Sequence, residues 1–302
     1  MAAYEDRYWW SRDGLRLHYR DYPATVVSPE ALQRPPILCL PGLTRNARDF
    51  EPLAQRLAGQ WRVICVELRG RGESAYAKDP MTYVPLTYLQ DLEALLEEMG
   101  IDRFVGIGTS LGGIMLMLLA ATGPGRVAGA VLNDIGPLIE EAGLDRIRQN
   151  VGTGGGYPTW VHAARALADL QGPLYPDYGL EEWLAYAKRL YRLNSKGRVV
   201  LDYDARLAEP FRAPGGEAGV DLWPAFDALA HTPTVLVRGD LSDILSEDTA
   251  QAMQARHPDL QRANVPRTGH APTLLEPACT AAIDRLLERV SASALTPEQP
   301  VR

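Results

Sequence analysis

Six short runs of this chain read as apolar, β-favouring segments: Pro36–Leu40, Arg62–Glu67, Phe104–Gly108, Val127–Asn133, Thr234–Arg238 and Leu260–Val265. A strand with one face in water alternates apolar and polar residues. These runs do not, so both of their faces must be covered, as in a parallel sheet sandwiched between helices. The segments between them carry the helical period. "TYLQDLEALLEEMG" spaces its apolar residues at three and four and stops at Gly100. "LGGIMLMLLAATGPG" is apolar nearly all round, which predicts a buried helix. Strand and helix in alternation give an α/β fold. Ahead of them, "YWWSRDGLRLHYRDY" alternates around Asp13-Gly14, the signature of an antiparallel hairpin.

The rhythm breaks between residues 136 and 223. This stretch holds helical patterns, glycine and proline breaks and many aromatics, among them Tyr157, Trp160, Tyr175 and Trp183. It reads as a helical lid inserted after the sixth strand, over the C-terminal edge of the sheet, where open α/β folds bind ligands. The expected division is a core of residues 1–135 and 224–290, a lid of 136–223 and a C-terminal tail of 291–302. A chain of 302 residues, 46% hydrophobic, has enough material for one such domain with its insertion. Basic and acidic residues roughly balance in the lid, so a largely uncharged substrate is expected.

Charge and cysteine content exclude several classes of function. A net charge of −7 offers no basic face for nucleic acid. No run of 18 apolar residues predicts a membrane span, and "MAAYEDRYWWSRDG" lacks the apolar stretch of a secretion signal. With three cysteines and no such signal, the expected compartment is the cytoplasm. Cys39 and Cys65 lie inside apolar runs and read as small core residues. No C-x-x-C or H-E-x-x-H spacing occurs, and neither a metal nor a cofactor is expected. Nothing in the sequence reports the oligomeric state.

"FVGIGTSLGG", Phe104 to Gly113, is the stretch richest in chemistry. Its glycines fit a phosphate-cradling turn, a turn presenting a nucleophilic serine, or a tight strand-to-helix junction. The dinucleotide reading fails on spacing, which is G-x-G-x-x-x-G, and no acidic residue lies about 20 positions on to hold a ribose. Gly108-Thr-Ser110-Leu-Gly112 between an apolar strand and an apolar helix fits a serine elbow instead. A serine nucleophile needs a base. Of five histidines, His270 follows the last strand and precedes the last helix, at the sheet edge that Ser110 also occupies. The imidazole in turn needs an orienting carboxylate. Asp240 and Asp243 in "VLVRGDLSDILS" follow a strand, and Asp243, deeper in the loop, is the first choice; Asp134 in "VLNDIGP" is the alternative. For the oxyanion, the backbone N–H of Leu111 opens a helix directly after the serine, and the loop "PGLTRN" offers the N–H of Leu43.

"LPGLTRNARDF", "ELRGRGES", "GTSLGG", "RGDLSDILS" and "TGHAP" together resemble the α/β-hydrolase fold family, from about Tyr8 to Val290. The likeness is greatest to its lid-bearing bacterial branch of esterases, lactonases and carbon–carbon bond hydrolases. The resemblance implies a mostly parallel eight-stranded sheet, a triad of Ser110, Asp243 and His270, and oxyanion donors at Leu43 and Leu111. Thr44, Arg45, Tyr157 and Trp160 are the candidate pocket residues. Branches with an aspartate nucleophile are disfavoured by Ser110. The expected activity is hydrolysis of a small to medium carboxylic ester or lactone through an acyl-enzyme. Carbon–carbon hydrolysis of ring-cleavage products is the alternative, and a small-molecule receptor on the same fold is the reading from outside enzymology.

Overall fold

The computed structural model describes residues 3–26, 28–212 and 221–294. Eight strands form one sheet: β1 (Glu5–Trp10), β2 (Arg16–Tyr22), β3 (Ile37–Leu40), β4 (Val63–Glu67), β5 (Phe104–Thr109), β6 (Val127–Asn133), β9 (Thr234–Gly239) and β10 (Leu260–Val265), with β7 (Tyr191–Leu193) and β8 (Val199–Leu201) making a separate hairpin. The spatial order is β1-β2-β4-β3-β5-β6-β9-β10. All pairings from β4 to β10 are parallel; β1 and β2 add antiparallel at one edge. This is the mostly parallel eight-stranded sheet that the family resemblance implies, with the six apolar runs as six of its strands. The N-terminal hairpin turns through Gly14 at φ +81°, with Ser11 Oγ accepting from the Leu15 N–H at 2.8 Å.

Period-two geometry splits each strand between two cores. In β3, Ile37 and Cys39 face one layer and Leu38 and Leu40 the other. The first layer is closed by α2 (Glu51–Leu57) and α11 (Pro277–Ala294), and the second by α3 (Pro85–Glu98), α4 (Leu111–Thr122) and α10 (Glu247–Arg256). Strands β3, β4, β6 and β9 are buried at every position, which is why their sequences do not alternate. The edge strand β10 is the exception: Gln261, Arg262 and Asn264 reach toward solvent. Cys39, Cys65 and Cys279 are all buried and unpaired, and burial pushes the Cys65 and Cys279 thiols up, away from nucleophilic thiolate. A four-residue turn, α1 (Pro29–Leu32), precedes β3.

Between the adjacent strands β6 and β9 the chain leaves the sheet for about a hundred residues. This excursion contains α5 (Glu141–Asn150), α6 (Trp160–Gln171), α7 (Leu180–Leu190), the β7–β8 hairpin, α8 (Glu209–Arg212) and α9 (Trp223–Asp227). The hairpin was not foreseen; its two three-residue strands are too short to show a period. The excursion is tied down over the loops that follow β3 and β4. Arg48 donates to the buried Asp202 carboxylate at 2.6 Å, Gly72 N–H donates to the Asp202 carbonyl at 3.0 Å, and Asn46 Nδ2 donates to the Arg189 carbonyl at 3.0 Å. At the far end, residues 291–294, expected as tail, continue α11, while 295–302 lie outside the described residues. No described helix is long and apolar enough to cross a membrane.

Candidate active site

β5 ends at Thr109 and α4 starts at Leu111, so a single residue, Ser110, makes the whole turn. Its backbone sits at φ 53°, ψ −118°, a region that L-residues rarely occupy and that costs of order 1–3 kcal/mol. Two bonds hold it there: Ser110 N–H donates to the Asn133 carbonyl on β6 at 3.0 Å, and Gly113 N–H donates to the Ser110 carbonyl at 2.8 Å. The flanking glycines are required by contact. A methyl group on Gly108 would overlap the Gly112 carbonyl, and one on Gly112 would overlap the Leu40 carbonyl. Gly106, which imitates a dinucleotide turn in the sequence, lies inside β5 and leaves room for Leu116 of α4.

His270 stands in the loop after β10, and its Nδ1 lies 2.8 Å from a carboxylate oxygen. That carboxylate belongs to Asp134, not to Asp243. Asp134 directly follows β6, at φ 56°, and is completely buried. Its Oδ1 accepts from Gly239 N–H at 2.8 Å and its Oδ2 accepts from Ser242 Oγ at 2.6 Å as well as from His270. These contacts hold the buried carboxylate in one orientation. Its bond to Nδ1–H leaves Nε2 of the imidazole as the free acceptor.

Asp243, the expected partner, is engaged elsewhere. Arg146 on α5 donates to both of its oxygens, at 2.5 and 2.8 Å. Burial works against the Asp243 charge, but the Arg146 bonds outweigh it and hold the carboxyl below its ordinary pKa. The physical reason for the correction is sheet order. β6 and β9 are neighbours, so the residues just past each strand reach the same imidazole, and the guanidinium from α5 draws one of the two away. Asp240 is exposed, with its N–H on the Val265 carbonyl.

The loop after β3, which carries Gly42 and Leu43, lies against the serine. An added Cβ at Gly42 would sit 3.6 Å from Ser110 Cβ, in ordinary contact. The loop is fixed from behind: the fully buried Arg71 donates through Nε to the Leu43 carbonyl at 2.8 Å and stacks over Tyr88 at 4.7 Å. Leu111, the first residue of α4, has a backbone N–H for which a helix supplies no internal acceptor. Asn133 joins the two halves of the site, its Nδ2 donating to Thr109 Oγ1 at 3.0 Å and to the Pro272 carbonyl at 2.9 Å.

Ser110, His270, Leu43 and Gly42 border one cavity of about 370 Å³ between the sheet edge and the excursion. Of the expected pocket residues, Thr44, Arg45 and Tyr157 are on its wall. Trp160 is not; it opens α6, packed part-buried on the core. Apolar side chains such as Leu167, Leu170, Leu190 and Leu274 cover much of the wall, with several tyrosines among them. Three charged wall residues are not identified by number from the sequence: Asp49, Arg146 and Arg189. Nothing in the spacing of these charged residues marks them off from a solvated helix face. Ser242, which braces Asp134, was visible only as part of "GDLSD".

A family model for the α/β hydrolase fold matches residues 35–277. The chain belongs to the α/β-hydrolase fold family. Among curated relatives of this α/β hydrolase is the 3-hydroxybutyrate-oligomer hydrolase of Cupriavidus necator, 33% identical over 249 residues, which are 80% of this chain and 84% of the relative. The 2-(acetamidomethylene)succinate hydrolase of Mesorhizobium japonicum is 28% identical over 246 residues, 82% of this chain and 85% of that one. Among solved structures, an α/β hydrolase from Novosphingobium aromaticivorans is 60% identical, with a TM-score of 0.90 over 96% of this chain and 99% of the other. The hydrolase names among the relatives support hydrolytic activity for this member too.

Proposed function

We propose that this α/β hydrolase is a serine esterase, cleaving a small to medium carboxylic ester or lactone through an acyl-enzyme. The observation that carries the reading is the Asp134–His270 contact at 2.8 Å, on the same cavity as a serine held in a strained strand-to-helix turn. In this mechanism His270 Nε2 takes the proton from Ser110 Oγ as that oxygen bonds to the carbonyl carbon. The carbonyl electron pair moves to its oxygen, which the N–H groups of Leu43 and Leu111 receive. The carbon–oxygen bond to the alcohol then breaks, and His270 returns the proton to the departing alkoxide. Water, deprotonated by His270, attacks the acyl carbon and releases the acid and Ser110. Asp134, rather than Asp243, orients the imidazole and offsets its positive charge.

The excursion over residues 136–223 acts in this reading as a lid, supplying the apolar and aromatic half of the cavity wall. The relative named as a 3-hydroxybutyrate-oligomer hydrolase supports an ester substrate, and the several hydrolase names support turnover over simple ligand reception. The experiment is a panel of p-nitrophenyl esters, lactones and ring-cleavage diketones assayed with wild type and Ser110→Ala. Ester or lactone hydrolysis that falls by several orders of magnitude in Ser110→Ala is the expected result. Hydrolysis of the diketones alone would replace the esterase reading with carbon–carbon cleavage, and turnover insensitive to Ser110 would refute the mechanism.

A further inference from the structure

The charged groups on the cavity wall do not balance. Its described lining carries three guanidinium groups, Arg45, Arg146 and Arg189, and a single carboxylate, Asp49. Arg146 is matched by Asp243 just behind the wall. Arg45 takes both oxygens of Asp49, each at 2.6 Å, and lies over the Tyr186 ring at 4.6 Å. Arg189 shares the one Asp49 carboxylate with Arg45, as a looser ion pair. Its Nε comes no nearer than 3.6 Å to Asp49 Oδ1, beyond hydrogen-bond length, and its guanidinium makes no hydrogen bond to any described residue.

Arg189 is nonetheless held in place. It is the penultimate residue of α7, and its carbonyl accepts from Asn46 at 3.0 Å and from Arg48 at 3.1 Å. Its side chain is only 22% exposed, and the guanidinium lies 5.9 Å from the Tyr186 ring that Arg45 also stacks on. A planar fork with unused donors, half-buried, fixed on a helix end and facing a cavity is a binding group for a carboxylate.

We infer that the substrate carries a carboxylate group besides the bond to be cleaved, and that Arg189 receives it, with Arg45 behind. The overall balance of charge in the lid, which argued for an uncharged substrate, does not extend to this wall. The inference rests on the esterase reading for the reaction, but the subsite stands on its own geometry.

The carboxylate has two possible positions in the substrate, and the test has an arm for each. One arm compares p-nitrophenyl hemiglutarate with its methyl ester, placing the charge on the acyl side. The other compares 3-(butanoyloxy)butanoate with its methyl ester, placing it on the alcohol side. In one arm the free acid should have a KM about tenfold below that of the methyl ester. Arg189→Met should bring that KM ratio toward unity, and Arg189→Lys, which keeps the charge, should retain part of it. Equal KM values within each pair, or a preference that survives Arg189→Met, would overturn the inference. Calorimetric titration of butanoate into Ser110→Ala, with and without Arg189→Met, reads the subsite without turnover. Saturable binding lost with Arg189 supports it and no binding refutes it. If no ester is hydrolysed yet butanoate binds through Arg189, the esterase reading fails and the subsite remains.

Discussion

Replacing Asp134 by asparagine while leaving Asp243 intact, and the reverse, separates two carboxylates that the sequence alone treats as near equivalents. Asp134 is fully buried and accepts from Gly239 N–H, Ser242 Oγ and His270. Asparagine keeps its shape and one acceptor, so Gly239 N–H stays satisfied. The amide nitrogen then faces either Ser242 or His270 Nδ1 and favours the wrong imidazole tautomer. A misoriented base in a serine triad costs about 10⁴-fold in kcat, roughly 5.5 kcal/mol of transition-state stabilisation. Exchanging charge-assisted bonds for neutral ones adds about 1–3 kcal/mol of lost stability. Asp243→Asn breaks an ion pair whose side chains are 22% and 25% exposed, an interaction worth about 1 kcal/mol after solvent screening. It should leave kcat within about tenfold of wild type, because it touches neither serine nor imidazole. The assay is kcat on p-nitrophenyl butanoate, with urea unfolding to confirm that each variant is folded at the assay temperature. If Asp243→Asn loses about three decades or more and Asp134→Asn stays within one, the assignment of the acid is wrong.

Other consequences follow from single contacts. Arg71→Met removes the donor at 2.8 Å from the Leu43 carbonyl; kcat should drop about 10–100-fold with KM little changed, as expected for a loosened oxyanion loop. Gly112→Ala drives a methyl group into the Leu40 carbonyl, and thermal unfolding should show a loss of about 3 kcal/mol or more, or no folded protein at all. Asp243 has a folded-state pKa below the unfolded one, so its contribution is complete above about pH 4 to 5 and is lost as pH falls through the folded value. The difference in urea midpoint between wild type and Asp243→Asn should accordingly shrink as pH drops from about 6 to about 3.

Much of the fold was readable because burial on both faces leaves a strand little choice of residue type; five of the six runs are such strands, and the sixth, β10, is the half-exposed edge. The strained turn at Ser110 was readable for a similar reason: Gly108 and Gly112 are dictated by backbone contacts only a few residues away. The partner of His270 was not. Asp134 and Asp243 each follow a strand, and the choice between them depends on Arg146, which lies 97 positions from Asp243 on a helix of the excursion. Trp160 illustrates the same limit. Its place in an aromatic segment over the sheet edge says nothing of which way α6 turns, and it faces the core while Tyr157 reaches the cavity. The excess of cations on the wall is likewise a property of three arginines from separate elements, invisible until Asp49 and Asp243 are seen to be taken.

The central claim is that Ser110 becomes acylated by a base that Asp134 orients. It is tested most directly by mass spectrometry of the protein treated with a fluorophosphonate, with the rate of adduct formation followed in wild type, Asp134→Asn and Asp243→Asn. The account predicts one adduct per chain, on the peptide carrying Ser110, forming far more slowly in Asp134→Asn and at close to the wild-type rate in Asp243→Asn. No adduct, an adduct on another residue, or a rate that depends on Asp243 and not on Asp134 would contradict it.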